Sequence, residues 1–370
     1  MTTIRNGRLA IGGELIRGDL HIADGAIVDI TDDEESIDAN GMIVSPGLID
    51  IQINGGFGHD FTQDPTTIWE VGRRLPELGV TAFVPTVVTS PDAVTDLALD
   101  VVANRRPNDY LGADVIGLHF EGPWISPEMH GAHNPHHIVD PDVDVARKWA
   151  ESGLVRIVTL APERPHASDV AEVLATAGVV VSIGHTDAPY EMARDILARN
   201  ASLGTHLFNQ MSAFTHREPG VVGALLLSNR PAIVIVDGLH IAAGALQLAW
   251  RLLGPERTVL VTDAMAALGL GPGTYPLGDG PITVGEHGPR TADGRLAGSV
   301  VTLPGAVANL VSTTGATVAE SLLGATANPA RVLGLQDRGH LRVGGRGDVV
   351  ILDDDLKPVK TLIAGQSVGL

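Results

Sequence analysis

Glu121, His185, His206 and Asp263 each close a largely apolar stretch: VIGLHFE (115–121), VVVSIGH (179–185), ASLGTH (201–206) and TVLVTD (258–263). A carboxylate or imidazole at the end of such a run is what a parallel barrel needs, because strand ends remote in sequence meet at one mouth. One Glu and two His suit a divalent cation with a coordination position left for water, and the spare Asp suits proton transfer. The combination points to hydrolysis. A single strand-end histidine is as readily a hydrogen-bonded structural residue. Two on adjacent strands, with Glu121 two strands earlier, favour one shared ion. Asp263 could merely cap the next segment. Opposite an activated water, it would instead take a proton and return it to a leaving amine.

Two neighbouring features read more plainly. His119 shares the strand face of Glu121, since side chains alternate along a strand, and is expected to line the barrel. The segment MHGAHNPHH (129–137) carries four histidines around Pro135. Its spacing suits a loop reaching over a pocket, with some of the four exposed.

Eight apolar runs qualify as the strands that would carry these residues: 47–53, 80–87, 114–120, 154–161, 178–184, 201–206, 232–238 and 258–264. Segments of helical periodicity lie between them, at 67–78, 91–104, 141–152, 167–177, 188–199, 218–228 and 241–253. Strict alternation of this kind favours an α/β fold closed as a (β/α)8, TIM-type barrel over an open sheet. Residues 265–298, rich in Gly and Pro, read as a long loop or small inserted hairpin, and two more helices follow at 301–314 and 317–328. Residues 1–46 and 340–370 have alternating polarity and Asn-Gly or Asp-Gly turns. They are expected to form one small β-sandwich domain built from both termini, around a barrel spanning 47–339.

Composition bounds the partners. A chain of 370 residues with 44% hydrophobic content can bury a barrel of roughly 250–300 residues plus an accessory domain. A net charge of −19 without a dense basic cluster argues against nucleic acid and anionic membrane surfaces. A small anionic substrate stays open, because a few local Arg and His can outweigh the global field. The absence of cysteine removes disulfides, thiolate ligands and cysteine nucleophiles. No signal-like N-terminus and no run of 18 apolar residues is present, so a soluble cytoplasmic protein is expected. The three lysines, Lys148, Lys357 and Lys360, end no expected strand, which argues against a Schiff base or a lysine-bridged two-metal centre.

Seven motifs occur in order: HFEGPW (119–124), GAHNP (131–135), GHTDA (184–188), THLFNQM (205–211), REPG (217–220), DGLH (237–240) and VTDAM (261–265). Singly each is weak. Together they resemble the N-acetylglucosamine-6-phosphate deacetylases of the amidohydrolase superfamily, from about residue 44 to the C-terminus. The resemblance implies a metal-dependent barrel hydrolase that cleaves the acetamide of a small phosphorylated amino sugar. It makes Glu121, His185 and His206 the metal ligands and Asp263 the catalytic acid/base. His133 would help polarise the acetamide carbonyl and hold the sugar. His240, Asn209 and the backbone near Gln210 would bind sugar and phosphate. Arg217 would reach the phosphate of a neighbouring subunit, which implies a homodimer. Where many amidohydrolases carry His-x-His for a second metal, this chain has Gln52-Ile53-Asn54. Gln52 and Asn54 therefore mark a vestigial second-metal position, and one divalent ion per subunit is expected. Zn2+ is the first choice, with Fe2+, Mn2+ or Co2+ also compatible. The galactosamine epimer, cyclic-amide hydrolysis, nucleobase deamination and a metal-free scaffold remain as alternative readings.

Overall fold

The computed structural model describes residues 2–29 and 36–368. Residues 30–35 and the last two residues of the expected terminal domain lie outside the described residues. Eight parallel strands form the wall of the barrel: β1 Leu48–Ile53, β2 Val80–Val88, β3 Leu118–Glu121, β4 Val155–Leu160, β5 Val180–Ile183, β6 Leu203–Gly204, β7 Ala232–Ile235 and β8 Thr258–Val261. Neighbours in sequence pair in space from β1 round to β8. The seam between β8 and β1 is joined by the Asp263 N–H donating to the Gln52 carbonyl at 2.8 Å and by a bridge between Ile53 and Ala264.

Two apolar layers hold the wall. Inside the barrel, Ile49, Ile51, Ala82, Val84, Ile157, Val180, Leu203, Ile233, Ile235, Val259 and Val261 pack together, and Ala330 and Leu333 join them. Outside, the helices press Phe83, Phe120, Trp124, Trp149 and their neighbours onto the strands. Burial on both faces explains why the strands read as continuous apolar runs.

Several elements differ from expectation for identifiable reasons. The third expected strand is split: Asp114–Val115 pairs with β2 before Gly117, at φ +142°, interrupts the run. Helix Ala243–Arg257 runs four residues past its expected end but breaks at Gly254, and the expected 317–328 helix divides at Thr326 into Val318–Ala325 and Ala327–Val332. The insert after β8 is a three-stranded antiparallel meander, Gly273–Leu277, Gly280–Gly285 and Gly288–Arg290. Met265, Ala267, Leu277, Ile282, Val284 and Ala297 give it a core of its own. The two termini contribute eight strands, among the described residues, to a single hydrogen-bonded sheet: Thr2–Ile11, Glu14–Ala23, Ala26–Val28, Ser36–Asp38, Ile43–Pro46, Val349–Leu352, Pro358–Ile363 and Gln366–Val368. Its separate apolar cluster includes Ile4, Leu20, Ile22, Val44, Val349, Ile351 and Leu362.

Candidate active site

The strand ends place Glu121, His185, His206 and Asp263 at the same end of the barrel. His185, His206 and Asp263 adopt positive φ (49°, 25° and 47°), and Gly122 after Glu121 does so too, at 85°. Non-glycine residues adopt this region rarely, and such strain gathers at functional sites. Here it turns the chain out of the strand while the side chain stays over the barrel axis. Gly184 makes the close approach of β5 and β6 feasible, because a Cβ built there lies 2.6 Å from Thr205 Cβ.

The three expected ligands converge. His206 Nε2 lies 3.0 Å from His185 Nε2 and 3.1 Å from Glu121 Oε1, and His185 Nε2 lies 3.2 Å from that same oxygen. All three residues are buried. His185 Nδ1 donates to the Met129 carbonyl at 2.8 Å and His206 Nδ1 to the Asn209 carbonyl at 3.1 Å. With the Nδ1 protons fixed in this way, two imidazole lone pairs and a carboxylate oxygen face one another. That arrangement is repulsive until a positive charge enters it, either a proton on Nε2, donated to Glu121, or a metal ion. The 3.0–3.2 Å edges are close to the roughly 3.3 Å that bonds of about 2.0–2.1 Å at tetrahedral angles require, so the donor set fits a divalent metal.

Electrostatics follow from burial. Burial lowers the His185 pKa. For His206 the hydrogen bond and charge of Glu121 outweigh burial and raise it. Burial works against ionised Glu121, yet its bonds to the two histidines hold its carboxyl well below the usual range. Asp263 is pushed up to about 6, by burial first and by the charge of Glu121 second. A carboxyl poised there is ionised at neutral pH yet can readily be reprotonated.

Gln52 and Asn54, expected to mark a vestigial second-metal position, donate hydrogen bonds to the two carboxylates of the site. Gln52 Nε2 donates to Glu121 Oε1 at 3.1 Å and to Asp263 Oδ1 at 3.2 Å, and Asn54 Nδ2 donates to Asp263 Oδ1 at 2.9 Å. Facing two carboxylates, the amides must present N–H rather than oxygen. Gln52 and Asn54 reach the site because the pairing of β1 with β2 shifts register between Asp50 and Ile53, which changes the phase set by Ile49 and Ile51.

A cavity of about 340 Å³ opens over these groups, lined among others by His133, Asn209, Gln210, His240 and residues 294–298 of the insert. His133 Nδ1 lies 2.8 Å from the Thr89 hydroxyl, and its ring packs 4.3 Å from that of His185. Burial keeps His133 neutral, with a pKa well below the ordinary histidine value. His240 Nδ1 donates to Asp237 Oδ2 at 2.7 Å, while Asp237 Oδ1 accepts the backbone N–H of Leu239 and His240. The His130–His137 loop reaches over the cavity as expected. Within it His133 is buried, His136 is exposed and His137 pairs with Asp279 at 2.9 Å. His119 is barrel lining: it bridges Thr86 at 3.1 Å and Thr159 at 2.8 Å, and burial lowers its pKa to about 4. Arg217 is exposed on the loop before helix Gly220–Leu227 and does not line the cavity of its own chain.

Sequence reasoning missed Thr89, Asp237, Arg290 and Arg295. Asp237 was visible in the DGLH motif, three residues before the histidine it orients. The two arginines line the cavity from a segment read as a loop, and no periodicity in sequence pointed them inward.

The amidohydrolase family model matches residues 43–368. The N-acetylglucosamine-6-phosphate deacetylase of Bos taurus is 39% identical over 98% of this chain and 94% of its own. That of Bacillus subtilis (strain 168) is 36% identical over 87% of this chain and 84% of its own. In structure, a mutant N-acetyl-D-glucosamine-6-phosphate deacetylase from Mycobacterium smegmatis, in complex with N-acetyl-D-glucosamine-6-phosphate, matches with a TM-score of 0.90 and 32% identity over 100% of this chain and 99% of that one.

Proposed function

The chain belongs to the amidohydrolase family, within its N-acetylglucosamine-6-phosphate deacetylase branch, and from that premise we propose that it hydrolyses N-acetylglucosamine 6-phosphate to glucosamine 6-phosphate and acetate. The observation that carries this reading is the convergence of Glu121, His185 and His206 beside Asp263 in one cavity.

Glu121, His185 and His206 would hold one divalent ion, with zinc the first choice for a set of two imidazoles and a carboxylate. What such an ion supplies when bound is Lewis acidity, which lowers the pKa of water and draws electron density from a carbonyl oxygen. The remaining work falls to the chain. Asp263 accepts a proton from the attacking water and delivers it to the sugar nitrogen, so that an amine rather than an amide anion departs. The amides of Gln52 and Asn54 hold that carboxylate in place. His133, anchored on Thr89, presents its other edge to the acetamide. His240, oriented by Asp237, joins Asn209 and the turn at Gln210 at the sugar phosphate. Exposed Arg217 is assigned to a partner's phosphate in a homodimer. A cytoplasmic location belongs to the same proposal, since a phosphorylated sugar does not cross an apolar bilayer. No helix among the described residues is long and apolar enough to span a membrane.

The test is acetate release from N-acetylglucosamine 6-phosphate before and after chelation, and again after adding back zinc. Turnover that is lost on chelation and regained with metal is the expected result. Turnover that survives metal removal, or no acetate from the metal-loaded protein, overturns the proposal.

A further inference from the structure

We propose that Arg290 binds the phosphate end of the amino sugar from within the same subunit, an inference that rests on the deacetylase reading above. Strand Gly288–Arg290 lies against the Asp237–His240 turn so closely that a Cβ built on Gly288 lies 2.5 Å from Leu239 Cδ1. Two residues further on, Arg290 lines the same cavity as His240 and Asn209. The meander of the insert therefore brings an arginine to the lining of the cavity that also carries the neutral donors assigned to the phosphate.

The state of that guanidinium is the second observation. Arg290 Nη1 donates to the Gly294 carbonyl at 2.7 Å, which fixes the side chain, and among the described residues no carboxylate lies within ion-pair distance of it. The other arginine of the cavity is committed: Arg295 pairs with Asp293 at 2.7 Å and donates to the Gly131 carbonyl at 3.0 Å. Of the two arginines that line the cavity, Arg290 is the half-buried one without an acid partner among the described residues. A phosphate dianion approaching a protein of net charge −19 meets a repulsive field, and it must also share a cavity with Glu121 and Asp263. A planar, permanently charged fork that matches phosphate oxygens reverses that field locally. Phosphate recognition in this chain then has an intrasubunit component, separate from the Arg217 of a partner.

The experiment uses the metal-loaded enzyme and the variants Arg290→Gln and Arg290→Lys. The readout is the ratio of kcat/KM for N-acetylglucosamine 6-phosphate to that for N-acetylglucosamine. The ratio is expected to fall roughly ten- to a hundredfold in Arg290→Gln, the size of a lost charge-assisted contact, and less in Arg290→Lys. Binding of inorganic phosphate, titrated directly by calorimetry, should weaken in the same order. An equal loss on both substrates, or unchanged phosphate affinity, overturns the assignment and leaves Arg290 as a support of the insert. Absence of acetate from the wild-type enzyme would strike the deacetylase reading instead, and the phosphate titration would still decide on Arg290.

Discussion

At the scale of single residues, the proposed function separates holding from reacting. His185 and His206 direct their Nδ1 protons away from the point where they meet the Glu121 carboxylate, so the shared focus is electron-rich. Asp263 stands beside that focus with two amide donors on one oxygen and a pKa raised to about 6 by burial. Asp263→Asn keeps the shape and removes the base. We expect its metal content and substrate KM to stay near wild type while kcat falls at least about 100-fold. Metal analysis alongside acetate release checks this, and near-normal turnover would remove Asp263 from the role.

At the scale of elements, the β8–β1 seam is the join on which the relative placement of Asp263, Gln52 and Asn54 depends. Asp50 spans it: its carboxylate accepts the Thr262 hydroxyl at 2.6 Å and the Thr262 N–H at 3.3 Å. Burial pushes the Asp50 pKa up to about 7, from about 3.8 for an ordinary aspartate in water. Between those two values the folded state keeps a proton that the unfolded chain has released. Stability contributed by the protonated carboxyl is therefore lost as pH rises through that window. Asp50→Asn removes this titration, so its Tm should gain on wild type between about pH 4 and 7 and run parallel above it. Thermal unfolding across that range checks the sign, and a difference that shrinks with rising pH would contradict it.

For the whole molecule, the placement of Arg217 decides whether a site is complete within one chain. It lies exposed, outside the cavity of its own subunit. If it serves the neighbour, mixing Arg217→Ala with Asp263→Asn should restore activity. In a mixed dimer one site has an intact Asp263 and receives the intact Arg217 of the other chain. Recovery toward a quarter of wild-type turnover is expected after subunit exchange (roughly half the dimers mixed, one good site in each), and no recovery would place Arg217 in cis or outside the mechanism. The sequence by itself determined the barrel and the identity of the residues at its mouth. A strand buried on both faces must be apolar, so a polar residue at its end stands out against the run, as Glu121 and His185 do. Tertiary structure alone decided what those residues face. The register shift in β1 turned Gln52 and Asn54 toward the carboxylates, and the meander carried Arg290 and Arg295 to the cavity. Neither outcome leaves a local trace, because each depends on pairing between segments far apart in the chain, which spacing along one segment does not encode.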